Sequence, residues 1–165
     1  MAFKATVIGR EALMRKLDAI APGAIAATAE VKLEVAREAA RRIEAAAPVG
    51  ATGAYKDSII GARQADMPGS PAVGIASKDP DACGVYADFR WKFLEFGTKP
   101  HLIKGRNGKK LAFMAGDKLV SVDSVSHPGA RAEPHVFPTW KAYKATAKRK
   151  ISTALRKAVK QAMGK

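Results

Sequence analysis

Between residues 25 and 47 the apolar side chains step by four and three: Ile25, Ala29, Leu33, Ala36, Ala40, Ile43 and Ala47. That period places them along one side of an α-helix. Glu30, Glu34, Arg37, Glu38, Arg41 and Arg42 take the other sides, with many opposite charges three or four apart, each such pair adding roughly 0.2–0.5 kcal/mol. The stripe is mostly alanine, so the contacts of this helix are small. Pro48 removes an amide donor and disfavours helical geometry at Ala47, which ends the helix there. A chain of 165 residues built on such a helix has the mass for one core and little for a second, so residues 1–165 are expected to form a single domain.

Around it the remaining elements are short. Phe3 to Ile8 reads as a strand, and Arg10 to Ile20 as a first helix that Pro22-Gly23 separates from the long one. Ser58 to Arg63, Ala72 to Ala76 and Gly84 to Ala87 are β-segments divided by Gly and Pro, with 65–71 an exposed loop. Phe89, Phe93 and Phe96 recur at helical spacing, and Gly97 follows where helices commonly end in a left-handed residue. A short aromatic helix with a hard stop is expected, its rings in the core. Leu102 to Lys110 is a basic loop, and Leu111 to Met114 pairs with Lys118 to Val122 around Gly116-Asp117 as a hairpin, an insertion near 102–125. An extended arm near 126–138 carries three prolines and leads into a last helix, with Trp140, Tyr143, Ala147, Ile151, Leu155, Ala158 and Ala162 as its stripe. The fold class is α+β: a small antiparallel sheet packed by a long helix in the N-terminal half and a basic C-terminal helix.

The net charge is +14, and the 32 residues after Glu133 carry nine Lys or Arg and no acid. Like charges on one helix repel unless something negative lies nearby. Lys148, Arg149 and Lys157, with Arg106, Lys109 and Lys110 of the basic loop, are therefore candidates for a DNA path or an acidic partner. Gly105 to Lys110 lacks the Gly-x-x-x-x-Gly-Lys-Ser/Thr spacing of a phosphate-cradling loop. His101, His127 and His135 stand in Pro-containing loops without a nucleophile elbow or a local partner ligand, so no catalytic residue, metal or cofactor is assigned. Cys83 is the one cysteine and suits a reducing cytoplasm. Pro22-Gly23 interrupts the alanine-rich run 19–29 that could pass for a secretion signal, and no apolar run reaches the ~20 residues of a membrane helix. Glu95, set among Phe93, Leu94, Phe96 and Gly97, is expected to pair with an Arg or Lys, within the subunit or across an interface.

Four segments in order carry a resemblance: Ala47-Pro48; Thr52-Gly53-Ala54-Tyr55-Lys56-Asp57-Ser58-Ile59; Tyr86-Ala87 followed by Glu95-Phe96-Gly97-Thr98; and Pro134-His135-Val136-Phe137-Pro138 before the final helix. Together they resemble the tail-completion or neck proteins of long-tailed bacteriophages, over roughly residues 25 to 160. The stretch Asp88 to Lys92 lengthens one gap, and 102–125 is longer than in the smaller members. The resemblance implies a structural virion protein, assembled in the host cytoplasm and placed at the head-to-tail junction as a hexameric ring through which DNA passes. Its partners would be itself, the head-closure or connector proteins, the tail terminator or tail tube, and phage DNA in transient contact, with no membrane. Phe93, Glu95, Phe96, Gly97, Thr98, His127, Pro128, Pro134 and Phe137 become the subunit-interface candidates. The competing reading is a basic nucleic-acid-binding protein, which the basic last helix would suit.

Overall fold

The computed structural model of the chain describes residues 10–50, 52–70, 72–74, 77 and 82–162. The strand expected at residues 3–8 lies outside them. The first element is one helix, α1 (Arg10–Ala46), with Pro22 inside it. The expected break at Pro22-Gly23 is therefore absent. A proline within a helix removes one hydrogen bond and crowds the preceding turn, but Ala24 and Thr28, directly after the pair, are buried. Burial directly after the interruption helps to hold the helix continuous.

Of the expected stripe on α1, Leu33, Ala36, Ala40, Ile43 and Ala47 are buried, whereas Ile25 is exposed. A second buried line, Val35 and Ala39, packs against Tyr143 and Ala147 of the last helix, α4 (Val136–Ala162). Arg42 stacks its guanidinium 4.8 Å above the Tyr143 ring, and Lys150 bonds Glu34 at 2.8 Å, so α4 runs antiparallel to α1. Alanines on α1 leave room for backbone to approach. Gly61 takes that room: a Cβ there would lie 2.4 Å from the Ala36 carbonyl.

Gly61 belongs to β1 (Ile60–Arg63), which pairs antiparallel with β2 (Cys83–Tyr86), Ile60 opposite Tyr86. The expected strand at 72–76 does not form over its described residues 72–74. Val73 donates a single bond to the Val85 carbonyl, and Gly74, at φ +92, turns the chain away. Before β1, the short helix α2 (Ala54–Asp57) starts at Gly53 with φ +67 and delays the strand to Ile60. Tyr55 and Ile59 enter the main core with Ala40, Ile43, Ala47, Trp91 and Val136.

The aromatic helix α3 (Trp91–Phe96) ends at Gly97, φ +67, as its sequence implied. Beyond it the chain builds a ribbon. β3 (His101–Lys104) pairs with β6 (Ser124–His127), and β4 (Leu111–Ala115) with β5 (Lys118–Val122), the latter two joined at Gly116-Asp117. The expected basic loop thus begins as strand β3, since Leu102 and Ile103 find partners in Ser126 and Val125. Among the described residues the β-structure is three separate two-stranded ladders within an α+β fold. The extended stretch after the ribbon ends at His135, and Val136-Phe137-Pro138 already belongs to α4. Proline fits there because the first amides of a helix have no partner inside it.

Candidate assembly site

α4 has no Ser, Thr, Asp or Asn at its start to take up its first amides. Glu95 does so from α3. One carboxylate oxygen accepts the N–H groups of His135 and Val136, both at 2.8 Å, and the other that of Phe137 at 3.0 Å. The side chain is 3% exposed, and the positive end of the helix dipole supplies its counter-charge. The pairing of Glu95 with an Arg or Lys is thereby corrected: its partners are backbone amides about forty residues away.

His135 completes the clamp. Its Nδ1 donates to the Glu133 carbonyl at 2.7 Å, which leaves Nε2 to accept from the Tyr55 hydroxyl at 2.6 Å. Tyr55 is pushed up to about 12, first by burial and then by the negative charges of Glu95 and Asp88. The turn at Gly97 is locked against the same arm: Thr98 and Ala130 exchange backbone bonds of 2.9 and 3.1 Å, and the Glu133 N–H reaches the Leu94 carbonyl at 2.7 Å. A Cβ on Gly97 would meet the Ala130 oxygen at 2.6 Å, and one on Gly129 the Thr98 oxygen at 2.2 Å. Ser58 closes the motif by accepting the Asp88 N–H at 3.0 Å. Tyr55 and Ser58 of the Thr52–Ile59 segment thus each hold a defined contact, and Gly53 supplies the positive φ at which α2 starts.

What this rigid frame presents outward is aromatic. Trp91 is buried, but Phe89 is 70%, Phe93 49% and Phe96 64% exposed, and Phe137 and Trp140 add their rings from α4. Phe96 lies 5.9 Å from Phe137 and 6.3 Å from Trp91, and Phe89 meets Phe93 edge-on at 6.0 Å. The core role expected for the three phenylalanines is overturned: helical spacing put them on one face, and that face is uncovered, while Trp91 and Glu95 point inward.

Of the other interface candidates, Thr98 is bound to Ala130 within the chain, His127 stacks on His101 at 5.1 Å across β3 and β6, and Pro128 and Pro134 are exposed. Arg106, Lys109, Lys110, Lys148, Arg149 and Lys157 are all exposed, and none enters an ion pair among the described residues. They form two groups, one at the ribbon and one along α4. His135 and Tyr55 were missed as a pair by sequence reasoning. The one available signal was the missing cap at the start of α4. Among the described residues no three His, Cys, Asp or Glu come together to hold a metal ion, and no helix is long and apolar enough to cross a membrane.

Exposed aromatic rings held in water on a hydrogen-bonded frame are the kind of surface through which proteins dock to one another. The chain belongs to the family described as "Bacteriophage HK97-gp10, putative tail-component", whose model matches residues 11–97, and is thus a structural protein of a tailed bacteriophage. The match runs from α1 through α3 and closes at Gly97; the ribbon, the arm and α4 follow it. No curated protein and no solved structure matches the chain.

Proposed function

We propose that this protein is a subunit of the ring at the head-to-tail junction of the virion, six copies around the channel through which DNA passes, acting by assembly and gating without chemistry. The observation that carries the reading is the exposed aromatic surface at the end of the family-matched region. Closed cyclic symmetry reuses one pair of patches around the axis and would cover such a surface in every copy. Head-closure or connector proteins on one side and the tail terminator or tube on the other would be its neighbours.

The unpaired cations of α4 fit a wall beside DNA or a dock for an acidic surface. Complementation of a phage lacking the protein tests this. Changing Lys148, Arg149 and Lys157 to Glu should leave the fold intact and lower the yield of joined particles; normal joining would reduce the charge to a solvated face. A reconstruction of the neck with this density in single copy or at twelve-fold symmetry would refute the six-membered ring. The same cations keep a nucleic-acid-binding protein as the second reading, and a monomer that shifts DNA in a strongly salt-dependent manner would favour it.

A further inference from the structure

We propose that the ring closes by seating the tip of the ribbon, residues 111–122, of one copy on the aromatic surface around Phe93 and Phe96 of a second copy; this rests on the ring reading above. Among the described residues the ribbon has little support from the rest of the chain. Its strands pair only with each other, and none packs extensively against a helix. Two strands alone are at best marginally stable in water, so this ribbon requires a surface to lie on.

Its tip has the composition of an anchor. Met114 and Leu119 face each other across the hairpin and are 62% and 72% exposed. On the opposite face Phe113 stands beside Val120. No proline interrupts residues 101–127, so the outer edges of all four strands keep amides and carbonyls open for pairing.

The occupant is a second copy because one chain carries both halves of a head-to-tail contact. A heterologous interface needs two different, mutually complementary patches, and here they are an exposed aliphatic and thioether tip and an exposed aromatic patch. Sulfur and methyl groups pack well on aromatic rings, and Lys118 beside the tip can lie over a ring face. The ribbon leaves the body at His101, four residues after Gly97, and neither β4 nor β5 packs extensively against α3, which leaves the patch open to a neighbour's tip.

The test uses the full chain in a Cys83→Ala background. Leu119→Cys and Phe93→Cys proteins are mixed, oxidised gently, and the linked peptides identified by mass spectrometry, while sizing follows Met114→Ser/Leu119→Ser. The expected result is a 119–93 disulfide between copies, and a serine variant that melts as wild type does but needs at least about tenfold more protein to form rings. Rings that form with only 119–119 links, or that tolerate the serine pair, would overturn this contact and leave the ring standing, as would a ribbon taken up by another virion protein. A wild-type chain that stays monomeric at every concentration, alone and in the neck, would overturn both.

Discussion

Removing the Glu95 carboxylate should be among the most damaging single changes in this protein, although the residue lies in no catalytic or metal site. Glu95→Ala leaves three amides of the first turn of α4 without an acceptor, two of them at buried residues. Loss of a helix cap is worth about 1–2 kcal/mol, and each buried donor left unpaired adds about 1–3 kcal/mol. Partial entry of water and relaxation of the turn reduce the total to about 4 kcal/mol, or roughly 8–16 °C in Tm for a chain of this size. Glu95→Gln keeps one acceptor oxygen but turns an amino group toward the same amides, and about 2–3 kcal/mol is expected. Urea and thermal melts followed by circular dichroism at neutral pH, over a tenfold range of protein concentration, measure both. If Glu95 served an ion pair across a subunit interface instead, its loss would be felt only at concentrations where copies associate. A Glu95→Ala monomer within about 1 kcal/mol of wild type would refute the capping role.

Phe96→Ala should change monomer stability by about 1 kcal/mol or less, against the 3–5 kcal/mol of a buried ring, because most of its surface already lies in water; the deficit should appear in ring formation by sizing. Gly97→Val combines a β-branched residue at φ +67 with a Cβ 2.6 Å from the Ala130 oxygen, and a loss of at least about 2 kcal/mol is expected in the same melts. Tyr55 sets an alkaline limit. Its folded value of about 12 lies above the ordinary 10.0, so its contribution is complete below pH 10 and fades as pH rises toward 12, by on the order of a few kcal/mol. Tyr55→Phe should flatten that part of the stability curve, at the expense of the bond to His135; an unchanged slope would show that other groups govern it.

Sequence alone determined what depends on neighbours in the chain. The helices α1 and α4, the stop at Gly97 and the turn at Gly116-Asp117 appear where local period and backbone freedom put them, although Ile25, Trp140 and Leu155 of the expected stripes are exposed. The order of the motif segments pointed to the phage family from the same kind of information. Tertiary structure decided everything that needed a partner far along the chain. Period assigns Phe89, Phe93 and Phe96 to one face, but only the placement of α4 and the arm shows that Trp91 and Glu95 are covered and the phenylalanines are not. A lone glutamate among aromatics carries no mark of the amides it will cap, and Tyr55 and His135, eighty positions apart, share no local pattern at all. Pro22 follows the same rule in reverse: a strong local breaker yields because Ala24 and Thr28 are buried beyond it. Local rules fix which conformations are cheap, and burial, which is a property of the assembled chain, fixes which of them are kept.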